Sequence, residues 1–142
     1  MDQTYMMNTI EISQLVDELA FQLDCKNLDK AMELVSEDAK LTLIENGKEV
    51  LDADGKARIR ENLSERMANF DYLFHSNGTK VYDLKSLDQA AEVNTSCICR
   101  FGTLNPRNTV TQFIEYLDQM IKVNGCWYIV SRTVKVISQS VQ

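Results

Sequence analysis

Apolar residues return along this chain in two different rhythms, and the rhythm changes near Phe70. Ile12, Leu15, Val16, Leu19 and Leu23 recur at three- and four-residue steps, with Glu11, Gln14, Asp17, Glu18 and Gln22 largely between them. That spacing lays one apolar stripe along a helix ending near residues 24–26. Asn27 is placed to cap a shorter helix whose stripe is Leu28, Ala31, Met32 and Val35, with Ser36-Glu37-Asp38 stopping it. Residues 39–45 alternate weakly, as a strand does. Asn46-Gly47 marks a turn, and residues 49–51 a short extended piece. Asp52-Ala53-Asp54-Gly55 reads as a turn leading into a helix. It is not a calcium loop, because the further acidic ligand before the glycine and the closing glutamate are both missing. Ile59, Leu63, Met67 and Phe70 mark a third helix, with Arg58, Arg60, Glu61, Glu65 and Arg66 on its solvated side.

Beyond Phe70 the period is two. Residues 72–84, 90–102, 109–123 and 126–137 are four long strand-favouring runs, broken at 85–89, 104–108 and Asn124-Gly125. Asn-Gly between alternating runs is the strongest short hairpin signal, because both residues tolerate positive φ. In the second run Ala91, Val93, Thr95, Cys97, Cys99 and Phe101 form a mostly apolar face, opposed by Glu92, Asn94, Ser96 and Arg100. Three helices, an early strand and a four-stranded antiparallel meander predict an α+β fold with a mainly antiparallel sheet. A long twisted sheet of this kind curls into a half-cone covered by the helices, leaving a cavity suited to a small molecule. The domain is expected over residues 10–138, after a flexible segment 1–9.

Composition narrows the partners. A net charge of −6 argues against nucleic acid and against an anionic membrane surface, both of which ask for clustered Lys and Arg. No stretch reaches the apolar length of a membrane-spanning helix. The first eight residues lack the basic start and apolar run of a signal peptide, which points to the cytoplasm. Cys25, Cys97, Cys99 and Cys126 are then expected as free thiols, and their spacing does not suit a zinc site. Neither a glycine-rich phosphate loop nor a metal cluster is legible, so no cofactor is expected.

His75 is the only histidine, at the start of the first long strand. It is the one side chain whose ordinary pKa suits proton transfer near neutrality. Tyr72, Tyr116, Asn94 and Thr95 are candidate hydrogen-bond donors to a developing oxyanion. Leu19, Leu41, Leu43 and Cys97 are candidates for the aliphatic wall of the cavity, and Trp127 for a ligand contact.

The order of several short motifs resembles the nuclear transport factor 2-like superfamily, and within it the SnoaL-like domains. The likeness runs from about Ile12 to Val136. Leu23-Asp24, Asn27-Leu28-Asp29 and Ser36-Glu37-Asp38-Ala39 resemble that family's opening, Gly55-Lys56-Ala57-Arg58-Ile59 its third-helix start, and Gly125-Cys126-Trp127-Tyr128-Ile129 with Arg132 its last strand. In the dehydratase-like branch, an aspartate ending the first helix faces a histidine opening the strand after the third helix. Asp24 and His75 match those two positions. The tyrosine of that branch is replaced by Leu19, and its further acid or histidine would fall near Cys97 and Cys99; the base aspartate of the steroid-isomerase-like members falls near Leu43.

The resemblance implies a small, fairly apolar ligand. Two functions follow: a cofactor-free dehydratase or isomerase using the Asp24–His75 pair, or a non-catalytic binding or assembly module. It also implies a homodimer formed through the exposed face of the sheet.

Overall fold

The computed structural model describes residues 2–85 and 89–142, so Ser86, Leu87 and Asp88 of the expected break after Lys85 lie outside the described residues. Asp2 accepts a hydrogen bond from the Thr4 amide (2.7 Å) and caps α1 (Gln3–Asp24). From Gln3 on, the segment expected to be flexible is therefore helical. Its anchor is tertiary and invisible to local periodicity: buried Asn8 accepts from Lys122 Nζ at 3.0 Å and from Trp127 Nε1 at 3.3 Å.

Lys26 closes α1 with a φ of 58°, its amide reaching Leu23 O at 2.9 Å. The Asn27 side chain then caps α2 (Leu28–Met32) by accepting from the Lys30 amide. Val35, expected on the helical stripe, instead opens β1 (Val35–Glu45), where it pairs in parallel with Ile129. A β-branched residue gains more from that buried pairing than from extending a five-residue helix. β2 (Lys48–Asp54) returns antiparallel across Asn46-Gly47, both at positive φ as the turn demands. α3 (Lys56–Met67) follows Gly55, and Phe70 lies beyond it, as the first residue of β3 (Phe70–Lys85).

β4 (Ala90–Leu104), β5 (Arg107–Val123) and β6 (Cys126–Val141) complete the meander expected from alternation, with Asn124-Gly125 at positive φ between the last two. The sheet order is β2-β1-β6-β5-β4-β3; β1 runs parallel to β6 and every other pairing is antiparallel. The fold is α+β. Ile12, Val16 and Leu19 of α1 join Val93, Met120 and Ile129 of the sheet in the core. Each such burial stabilises by about 1.5–3 kcal/mol. The edge strands β2 and β3 nevertheless contribute Leu51 and Leu73 to the walls of one cavity, so the sheet curls around it.

Candidate functional site

That cavity measures about 160 Å³, between the three helices and the concave sheet face. A volume of about 150 Å³ is enough to admit benzene. Leucines and isoleucines dominate its walls, among them Leu19 and Leu23 of α1, Ile59 and Leu63 of α3 and Ile114 of β5. The polar groups that reach it are few: His75, Gln112, Tyr116 and Arg132 inside, and Arg66 on the exposed side of α3; Lys40 borders the cavity, but its pairing with Asp54 and Ser131 turns its side chain to the outer face.

Asp24 and His75 meet although 51 residues separate them. Asp24 is the last residue of α1, and Lys26, just beyond it, donates to the Phe70 carbonyl and ties the helix end to the start of β3. Alternation along β3 turns His75 inward with Leu73. One carboxylate then holds the residue twice. Oδ2 accepts from the His75 backbone amide at 3.1 Å, and Oδ1 lies 2.6 Å from ring Nδ1. A carboxylate can only accept, so Nδ1 carries the proton and Nε2 is left free. The side chains are only 7% (His75) and 19% (Asp24) exposed, which keeps the pair out of bulk water.

A second buried pair faces the same space. Arg132 donates from Nε and Nη2 to the two oxygens of Asp118 at 2.7 and 2.9 Å, the bidentate arrangement that a guanidinium favours. Its guanidinium carbon sits 4.0 Å from the centroid of the Tyr116 ring. Burial alone would lower the arginine pKa, but Asp118 outweighs it and holds the charge. Burial holds the Tyr116 hydroxyl protonated, well above its ordinary value. It also pushes the Cys99 thiol up to about 12, helped by Cys97 and by the Asp24 charge, so this cavity-lining sulfur is not a thiolate nucleophile.

Leu19, Leu41, Leu43 and Tyr116 line the cavity. Five other candidate residues do not. Tyr72 lies on the outer face, 41% exposed, its ring laid over Gly102 so closely that a Cβ at Gly102 would come within 2.5 Å of it. Asn94 is exposed, because the alternation that buries Val93 and Thr95 turns it outward. Cys97 faces inward but is packed beneath the wall with Cys99, Ile114 and Tyr116. Trp127 is core, its ring nitrogen spent on Asn8. Thr95 is buried at 1% exposure away from the cavity.

Arg132 and Gln112 were not singled out as cavity residues. Gln112 and Asp118 could have been found as polar residues in phase with Val110, Ile114, Tyr116 and Met120 on the buried side of β5. Arg132 could not, because the β5–β6 register slips between Gln119–Ser131 and Met120–Ile129; simple counting from Ile129 would face it outward. Arg66, read as part of a solvated helix face, is exposed and also lines the cavity.

A sequence profile of the SnoaL-like domain matches residues 8–133. The chain belongs to the SnoaL-like domain family. Solved structures share the fold of this SnoaL-like domain at low identity. A candidate scytalone dehydratase from Novosphingobium aromaticivorans superimposes with a TM-score of 0.89 at 19% identity, over 99% of this chain and 91% of the other. The hexachlorocyclohexane dehydrochlorinase LinA-type3 from Novosphingobium barchaimii gives 0.88 at 10% identity, over 100% and 94%. A protein of unknown function with a cystatin-like fold from Nostoc punctiforme gives 0.73 at 19% identity, over 90% of each chain. Among curated protein sequences none matches the chain. No helix among the described residues is long and apolar enough to cross a membrane.

Proposed function

We propose that this SnoaL-like domain is a cofactor-independent lyase or isomerase acting on a small, fairly apolar molecule, with His75 as its acid/base. The observation that carries the reading is the orientation of one ring: Nδ1 is engaged 2.6 Å from Asp24 while the imidazole lines the cavity. Nε2 is then the atom offered to a substrate. It takes a proton from carbon. The electron pair left behind either expels a leaving group from the next carbon or delocalises into an adjacent carbonyl. The proton returns to the departing hydroxyl in an elimination, or to a different carbon in an isomerisation. Asp24 balances the imidazolium formed in between.

Negative charge on the leaving group or enolate oxygen needs a fixed donor. Arg132 Nη1 has no protein partner among the described hydrogen bonds, and the Tyr116 hydroxyl stays protonated beside it. Together they would fill the role left open by Leu19 and Cys97 at the positions of the dehydratases' tyrosine and further acid. The names of the neighbouring dehydratase and dehydrochlorinase, both elimination enzymes, support the same class. The decisive assay is a panel of β-hydroxy carbonyl compounds followed by absorbance of the conjugated product. His75→Ala is expected to lower turnover by about two to four orders of magnitude with the circular dichroism spectrum unchanged. Turnover undiminished by that substitution would remove His75 as the base. Ligand binding with no turnover in either protein would leave a binding module.

The reading includes a homodimer through the outer sheet face. There Phe74, Ile98 and Phe113, on three successive strands, are 61%, 47% and 50% exposed, an apolar patch of the kind that partners cover.

A further inference from the structure

We infer that Gln112 is a specificity-determining residue of this cavity, selecting ligands with a neutral hydroxyl that it holds across the short Cys99 side chain from the His75 ring. The inference rests on the reading that the cavity is the functional site, and it names the substrate class. The register of the sheet sets four residues in one row across its inner face. His75 of β3 pairs with Cys99 of β4, Cys99 with Gln112 of β5, and Gln112 with Gln139 of β6. The first three of these line the cavity. Neighbouring strands lie about 4.8 Å apart, so roughly 10 Å separates the His75 and Gln112 backbones. Only a cysteine stands between them, and its small side chain leaves that span open to a ligand.

A carboxamide in that row needs partners. Gln112 is 7% exposed, and the residues next to it on the inward side of β5 are Val110 and Ile114. Its side chain carries two N–H donors and one acceptor oxygen. One N–H goes to Gln139 Oε1 at 2.7 Å, and no other hydrogen bond among the described residues involves that side chain. Oε1 and the second N–H are left against aliphatic walls, where an unpaired polar group is costly. A clip to β6 does not account for this arrangement. The two strands already pair on both sides of Gln112, at Thr111–Ser140 and Phe113–Ser138, and Gln139 is itself exposed. Gln139 therefore orients the carboxamide by one hydrogen and leaves the remainder to the cavity.

A hydroxyl can donate to Oε1 or accept from the remaining N–H, so it satisfies the carboxamide whichever way the amide is turned. An ether or carbonyl oxygen can meet only the N–H. With the reacting carbon over His75 Nε2, this hydroxyl is a second, non-reacting group that fixes which end of the ligand faces the imidazole. The volume, close to that which holds benzene, fits a single ring or a short chain between the two.

NMR titration with 4-methylphenol and with its near-isostere 4-fluorotoluene tests this directly. Neither probe needs to react, so the result is independent of the acid/base reading. The wild-type protein is expected to bind the phenol about fivefold more tightly, the contribution of one neutral hydrogen bond. The phenol should also shift the side-chain amide signals of Gln112 in ¹⁵N spectra well beyond any shift from 4-fluorotoluene, a readout that needs no variant to fold. Gln112→Met keeps the length and removes both polar groups. It should bind the two probes equally, with the affinity for 4-fluorotoluene unchanged, while His75→Ala should keep the preference. Equal binding by the wild type, no binding of either probe, or Gln112 amide signals that respond alike to both overturns the assignment. So does a preference that survives in Gln112→Met, or one lost in His75→Ala, which would place the hydroxyl on the imidazole. The expected preference alongside turnover that ignores His75→Ala would instead leave the hydroxyl assignment standing and overturn the acid/base reading.

Discussion

Replacing Asp24 by Asn changes no shape and removes one charge, yet it should invert the proton on the only histidine. In the native site both carboxylate oxygens accept, one from the His75 amide at 3.1 Å and one from Nδ1–H at 2.6 Å. An asparagine has a single acceptor oxygen. The backbone amide can only donate and cannot turn away, so it claims that oxygen and leaves the side-chain NH2 facing Nδ1. The ring can satisfy this donor only by moving its proton to Nε2. A hydrogen bond to a charged group contributes about 1.5–3 kcal/mol and one between neutral groups about 0.5–1.5. The wild type favours Nδ1–H by the first and the variant favours Nε2–H by the second, so the tautomer ratio changes by their sum, roughly 2–4.5 kcal/mol or about 30- to 2,000-fold. Long-range ¹H–¹⁵N correlation spectra of the neutral imidazole, recorded on the high-pH plateau of its signals, separate the two tautomers, and one histidine means one unambiguous pattern. The expected result is Nδ1–H in the wild type and predominantly Nε2–H in Asp24→Asn, with base-dependent turnover lost alongside. Nε2–H in the wild type, or Nδ1–H retained in the variant, would refute the claim that Asp24 sets the ring.

Asp118→Ala strands the Arg132 charge in the core and should destabilise the domain by about 3–5 kcal/mol in urea unfolding, with Asp118→Leu/Arg132→Met recovering much of it. A loss below about 1 kcal/mol would mean that the pair is hydrated. Iodoacetamide at pH 8 should modify exposed Cys25 and Cys126 in the native protein and spare Cys97 and Cys99. With the Cys99 thiol pushed up to about 12, only about one molecule in ten thousand would carry its thiolate at that pH. Because the folded pKa of Cys99 lies above its unfolded value of 9.0, the unfolded chain loses its proton first. Stability is then untouched below pH 9 and falls above it, by up to about 1.4 kcal/mol per pH unit for each such thiol. Urea midpoints flat from pH 9 to 11, or a fall no shallower in Cys99→Ala, would contradict this. On the outer face, Phe113→Asp should convert a micromolar dimer to a monomer in sedimentation velocity; a monomeric wild type would end the dimer reading.

The strands and the α+β class were legible because inward and outward residues on β4 differ sharply, and because two Asn-Gly turns admit no competing structure. The pairing of Asp24 with His75 was legible only through family resemblance, since nothing local links residues 51 apart. Other features were hidden for definite reasons. The docking of α1 upstream of residue 10 depends on Asn8 meeting Trp127 and Lys122 across the fold. Helical spacing at Val35 and Phe70 was real but belonged to residues claimed by strand pairing. Asn94 could have been placed correctly from alternation alone, which already set it opposite Val93 and Thr95.

The slip in β6 has a consequence for how such a cavity can change. Between Ile129 and Arg132 the strand holds one residue, Val130, that has no partner on β5. Beyond it Arg132 and Val134 face the cavity because Val130 stands outside the alternation. Deleting Val130 would make Ser131 the direct neighbour of Ile129 and leave it opposite Gln119, with Arg132 still opposite Asp118. The wall formed by Arg132 and Val134 would keep its composition, and the strand would lose only the local bend and added twist of the bulge. A single codon lost at this position would thus reshape the cavity by straightening one strand, with the side chains on its wall left the same.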